Sequence, residues 1–197
     1  QLFCPMLSLE NEVQTFSRSV TSGLKHQIIS HWVPQRDIGL SLPMKAELLL
    51  PHRKPMLLVR SIDQYLEDGS AVVTAELNES GLYFDGKKFR PHWLVEFLAQ
   101  ASGLAFNASR MTDGGRIPSF GYLLSVDHFE AGDVTKLKPN DVLTIKVKVE
   151  SNLYPLGKYS AEAFCHDQLI AEGVMKFMCD ESGRMKDHLN KTTEAAT

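Results

Sequence analysis

The sequence predicts an α+β fold in which a curved antiparallel sheet of five or six strands wraps around one long buried helix. Three observations carry this. Read at helical period, Pro91 to Phe106 is apolar on nearly every side, and a helix with no solvent face is a buried one. Before and after it, apolar and polar residues alternate at period two between turn signals, the pattern of half-buried strands. A 197-residue chain that is 43% hydrophobic and 23% charged is large enough for one good core.

Residues 1–44 read as an amphipathic helix followed by a linker. Leu9, Val13, Phe16, Val20, Leu24 and Ile28 recur at spacings of three and four, giving a helix from about Glu10 to Trp32, and Val33 to Pro43 links it onward. It lacks the basic start and continuous apolar run of a signal peptide. His26 and His31 have no further donor at ligand spacing and read as solvated helix residues.

Residues 45–180 form the main domain. Prolines 51 and 55 bracket His52 and Arg53, so His52 sits on a rigid loop. Ser61–Tyr65 and Ala71–Leu77 read as a hairpin around Asp68-Gly69, and Gly81 to Arg90 as a loop that feeds the helix. Pro91 supplies the helix start and Asp113-Gly114-Gly115 the stop. Next come a strand at Ser119–Val126, a loop at His128–Asn140 and a strand at Val142–Glu150, with Leu143, Ile145, Val147 and Val149 on one face. A last hairpin, Lys158–Cys165 and Leu169–Met178, turns at His166-Asp167-Gln168. Residues 181–197 have little to bury and read as a flexible tail.

Strands curled around a single helix describe a hot-dog fold, and one copy leaves an uncovered sheet edge, so pairing of two such domains is expected. A formal net charge of −3 gives no footprint for nucleic acid, and no apolar run approaches the roughly 18 residues that span a bilayer. Cys4, Cys165 and Cys179 are odd in number and not in CxxC spacing, which suits reduced thiols in a cytoplasmic protein, with Cys165 and Cys179 as core packing.

Within the helix, His92, Glu96 and Gln100 fall at i, i+4 and i+8 along one line, with Gly103 a turn further. A carboxylate in an otherwise apolar helix costs several kcal/mol unless paired or neutralised, so Glu96 is the leading candidate for chemistry. At this point the residues resemble a known family. Leu50-Pro51-His52-Arg53-Lys54-Pro55-Met56-Leu57-Leu58-Val59 is similar to the LPHRxPxLLVD opening of FabZ-type 3-hydroxyacyl-(acyl-carrier-protein) dehydratases. Glu96, Ala99-Gln100 and Gly103 match their E-x-x-AQ-x-x-G helix, and Pro139-Asn140-Asp141-Val142-Leu143 their P-G-D-x-L turn with Asn140 in the Gly place.

The resemblance, which runs from about Ala46 to Asp180, implies reversible loss of water from a 3-hydroxyacyl thioester to give a trans-2-enoyl thioester. It implies Glu96 as a catalytic carboxylate and Pro51, Met56, Phe97, Gln100 and Gly103 as substrate-binding residues. The family's catalytic histidine opens an HFPG loop before the helix; here Tyr83–Pro91 is shorter and has no histidine, which leaves His52 and His92 as candidates. A shortened loop also resembles the FabZ-like dehydratase subunits of aryl-polyene pathways, which work with a second hot-dog partner. The expected partners are thus an acyl carrier protein or acyl-CoA substrate and a homodimeric or heterodimeric hot-dog subunit. Lys87, Lys88 and Arg90 are candidates for docking an acidic carrier. No metal or organic cofactor is expected, the substrate being carried on phosphopantetheine. The alternatives are a non-catalytic acyl-binding or scaffold subunit, and a hot-dog acyl thioesterase.

Overall fold

The structure, a computed structural model, describes residues 40–115, 117 and 121–179, so the expected helix over Glu10–Trp32 and the tail over 181–197 lie outside the described residues. In chain order the elements are β1 (Met44–Lys45), α1 (Ala46–Leu49), β2 (Val59–Tyr65), β3 (Ala71–Glu76), β4 (Phe84–Asp85), β5 (Lys88–Phe89), α2 (Trp93–Thr112), β6 (Gly121–Ala131), β7 (Val142–Leu153), β8 (Leu156–Cys165) and β9 (Gln168–Cys179). The main sheet is antiparallel in the order β1-β2-β3-β7-β8-β9-β6, and β4 pairs with β5 as a separate short hairpin. This is the α+β hot-dog architecture, with α2 packed against every long strand of the sheet.

The alternation in β7 does what its pattern predicts: Leu143, Ile145 and Val147 are buried on the helix side, while Thr144 and Lys146 stay partly exposed. Across it, Tyr159, Ala161 and Ala163 of β8 and Met175 of β9 continue the same inner layer onto Leu94, Leu98, Ala101 and Ala105 of α2. Burying each large apolar side chain contributes about 1.5–3 kcal/mol, so the sheet–helix layer is the main source of stability. Two turn residues follow the sequence reading. Gly69 takes φ +82° after Asp68, and Asn140, standing where the family has Gly, adopts φ +71°, a left-handed conformation that Asn tolerates.

Three expectations need correction. The segment read as a loop over Gly81–Arg90 contains the β4–β5 hairpin, which buries Phe84 and Phe89 against Tyr83. The segment read as a loop from His128 begins as strand, because β6 continues to Ala131; register shifts at Leu123/Ser125 and Val126/His128 reset its alternation and hide it from a period-two reading. Glu96, expected to be buried, is only half-buried, because α2 is not covered all round and one of its faces lines an open cleft.

On the outer face, Glu130, Glu172 and Glu162 stand directly opposite one another across β6, β9 and β8, with Lys146 of β7 next in the row. Burial pushes the Glu162 carboxyl up, and the facing Glu172 adds to the shift while Lys146 opposes it. A carboxyl raised in the folded state favours folding below its unfolded pKa, and that advantage is lost as pH rises through the folded value. Glu162→Gln is therefore expected to raise the unfolding midpoint at neutral pH and to leave it unchanged near pH 3. Facing like charges cost roughly 0.2–1 kcal/mol, which corresponds to a degree or two in a thermal melt.

Candidate functional site

The cleft forms where the segment Leu50–Leu58 crosses the exposed side of α2. Arg53 shapes that segment: its Nη1 donates to the carbonyls of Leu50 at 2.9 Å and His52 at 2.7 Å, while its own carbonyl accepts from Met56 N–H at 2.9 Å. Two amides of α2 then hold the segment down. Gln100 donates through Nε2 to the Met56 carbonyl at 2.7 Å and accepts the Leu58 N–H through Oε1 at 2.9 Å. Asn107, two turns further, donates to the Leu49 carbonyl at 2.6 Å. Gly103 lies between them, where an added Cβ would sit 3.3 Å from Leu50 Cδ2, so a larger residue there requires the Leu50 side chain to give way.

The result places His52 over Glu96. His52 Nε2 stands 3.9 Å from Glu96 Oε1, with side chains 37% and 33% exposed respectively. That separation is too long for a direct hydrogen bond and suits a group or water between them. The same Glu96 oxygen accepts from Gln100 Nε2 at 2.7 Å, which fixes the carboxylate and leaves Oε2 as its other acceptor. His52 Nδ1 is buried with no protein partner, and Nε2 is the nitrogen turned to Glu96. The cavity beside the pair has a volume of about 130 Å³ and is lined by Leu50, Pro51, His52, Glu96, Ala99, Gln100, Gly103, Phe106 and Asn107, with Gly121 and Leu123 of β6 and Phe177 and Cys179 of β9 completing the wall. It is mostly apolar with a histidine and a carboxylate converging on it, the usual make-up of a small-molecule site. Among the described residues this arrangement brings an imidazole and a carboxylate, two groups able to exchange protons, to one cavity.

A family model described as ApeP-like, ApeP dehydratase, matches residues 44–188. The chain belongs to the ApeP-like dehydratases. Its match takes in every residue of the cleft. The 3-hydroxyacyl-(acyl-carrier-protein) dehydratase FabZ of Chlamydia trachomatis serovar L2 is 33% identical over 136 residues, covering 66% of this chain and 86% of that one. The FabZ of Syntrophobacter fumaroxidans is 34% identical over 131 residues, covering 64% and 85%. Among solved structures, the dehydratase heterocomplex ApeI:P from Xenorhabdus doucetiae shares the fold, with a TM-score of 0.65 at 19% identity over 77% of this chain and 99% of that one. No helix among the described residues of this ApeP-like chain is long and apolar enough to cross a membrane.

The remaining sequence-predicted positions divide sharply. Pro51, Gln100 and Gly103 line the cleft. His92 does not: it is exposed at the residue just before α2, at the outer end of the line it shares with Glu96. Phe97 points the other way, fully buried and 5.2 Å between ring centroids from Tyr83, because the i+1 position of a helix turns about 100° away from Glu96. Its truncation would cost about 3–5 kcal/mol and read as lost stability rather than lost binding. Met56 is exposed and reaches the site only through its carbonyl. Lys87 and Lys88 are exposed on the β4–β5 hairpin, and Arg90 pairs with Asp85 at 3.2 Å.

Sequence reasoning missed Asn107, whose signal was available: it is one more polar residue on the Gln100 face, seven positions on, in a helix otherwise apolar there. Gln100 has a larger structural part than a substrate contact, being 2% exposed with three hydrogen bonds. Gln100→Leu leaves the Leu58 N–H and the Met56 carbonyl without their partner, at about 1–3 kcal/mol each. The expected result is a midpoint lowered by roughly 5 °C or more in a thermal melt, together with weakened activity.

Proposed function

We propose that this ApeP-like chain is a 3-hydroxyacyl-(acyl-carrier-protein) dehydratase in which Glu96 and His52 are the acid and base. The observation that carries the reading is the convergence of His52 Nε2 and Glu96 on one apolar cavity at 3.9 Å, since removal of water needs a proton taken from the α-carbon and one given to the β-hydroxyl. His52 Nε2 takes the α-proton while Glu96, in its acid form, delivers a proton from Oε2 to the departing hydroxyl, which leaves as water. The α-carbon electron pair becomes the new double bond. A proton then passes from the imidazolium to the carboxylate and restores the pair. Gln100 keeps Glu96 aimed, and the loop locked by Arg53 keeps His52 over it. Proximity of this kind replaces the missing HFPG histidine with one from the other side of the cleft.

The partner is a second hot-dog subunit. β6 is the long edge strand of the sheet, with one side paired to β9, and it exposes Leu123, Leu124 and Val126, an apolar row that favours strand addition. Gly121 and Leu123 of that strand also line the cavity, so a subunit added there closes the cleft. The substrate reaches it on a phosphopantetheine arm, and Lys87 and Lys88 suit the approach of an acidic carrier protein.

The test is hydration of a crotonyl thioester, followed by loss of enoyl absorbance with thiol release monitored in the same cuvette, for the chain alone and with a second hot-dog subunit. Loss of absorbance without thiol release is the expected result, in either preparation. Thiol release in its place would make the protein a thioesterase, and silence in both preparations would make it an acyl-binding scaffold.

A further inference from the structure

A mixed donor cluster lies at the opposite end of β9 from Phe177 and Cys179, which meet the cleft. Cys165 ends β8, His166 opens the two-residue turn into β9, and Asp141 leads into β7. Cys165 Sγ is 3.4 Å from His166 Nδ1, and Asp141 Oδ1 is 3.9 Å from His166 Nε2. One donor atom from each of the three falls within 4.8 Å of the others. Two ligands of a tetrahedral ion, with metal–sulfur near 2.3 Å and metal–nitrogen near 2.0 Å, stand about 3.5 Å apart, close to the 3.4 Å between Sγ and Nδ1 here, so His166 would bind through Nδ1 and Asp141, which now faces Nε2, would move its Oδ1 toward that side to complete the set.

The surroundings favour the same reading. Asp141 Oδ2 accepts the Lys138 backbone N–H at 2.8 Å, which orients the carboxylate as an outer-shell partner does and leaves Oδ1 to the ring. Cys165 is buried, Asp141 is partly covered, and His166, with its side chain 80% exposed, provides the way in from solvent. A soft thiolate, an imidazole and one carboxylate suit Zn²⁺ and its analogue Co²⁺ rather than Mg²⁺ or Ca²⁺. The other donor group among the described residues, His128 and Glu130 of β6 with Glu172 of β9, has no soft donor.

We propose that Cys165, His166 and Asp141 form a thiophilic divalent-cation site of the Zn²⁺ class, with a fourth position open to water. The ion binds Cys165 as thiolate, the thiol proton passes to solvent, and no oxidation is involved. It ties the turn before β7 to the β8–β9 hairpin, so its effect falls on stability and not on the chemistry of the cleft.

Co²⁺ titrated into the full chain tests this directly. One equivalent is expected to give a thiolate-to-cobalt charge-transfer band in the near ultraviolet. Cys165→Ser should abolish the band, His166→Ala should weaken binding at least tenfold, and His128→Ala should leave the titration unchanged. Zn²⁺ should raise the unfolding midpoint of the wild type and not that of His166→Ala. Absence of the band in folded wild type, or its survival in Cys165→Ser, overturns the proposal. Should the buried serine disturb folding, His166→Ala decides, because its exposed side chain can be removed at little structural cost: an unchanged Co²⁺ affinity there rejects the site.

Discussion

Glu96→Gln is expected to lower crotonyl-thioester hydration by about 10²–10⁴-fold, the usual share of one general acid or base. Glutamine keeps the shape and still meets Gln100, so the loop and the helix stay in place while the exchangeable proton is lost. The half-buried side chain makes this a mild change for the fold, and the thermal midpoint should move by no more than a few degrees. A rate loss accompanied by an unchanged midpoint separates chemistry from stability. The same substitution leaves substrate affinity nearly intact, so the effect should appear in kcat and kcat/KM alike, the sign of a contact made in the transition state.

His52→Asn is expected to cost a similar factor, whereas His92→Ala should cost less than twofold. The two histidines are equally plausible from the sequence, yet only His52 lies on the cleft. Asparagine can still hydrogen-bond to its neighbours but cannot carry the α-proton. The loop itself is held by Arg53 and Gln100, not by the His52 ring, so the backbone should survive the change. The pH profile gives a second reading, since losing the general base removes the acidic limb of kcat/KM, which that base sets. An unchanged acidic limb in His52→Asn would point to a different base.

Much of this was legible beforehand because the relevant signals are local. The long apolar helix, the β7 alternation, and the line of His92, Glu96 and Gln100 with Gly103 beyond it each depend on residues a few positions apart; the helix and the alternation are found in place, though one face of the helix is open, and of the line all but His92 reach the cleft. The rest depended on long-range register. Whether His52 or His92 faces Glu96 is decided by hydrogen bonds from Gln100 and Asn107 to a segment more than forty residues away, which no periodicity reports. A period-two reading ends β6 early because its bulges break the alternation, and it passes over the β4–β5 hairpin because two-residue strands leave no period to detect. Phe97 turns away from the cleft for a simpler reason: adjacency to Glu96 in sequence places it on a different face of the helix.

The most direct measurement of the central claim, that Glu96 and His52 work as one unit, is a double-substitution cycle in the hydration assay. Groups that act together lose most of their effect with the first substitution. Glu96→Gln with His52→Asn should therefore be no more than a few-fold slower than the worse single variant. Losses that multiply across the two sites, or a His92→Ala variant as slow as His52→Asn, would contradict the pairing.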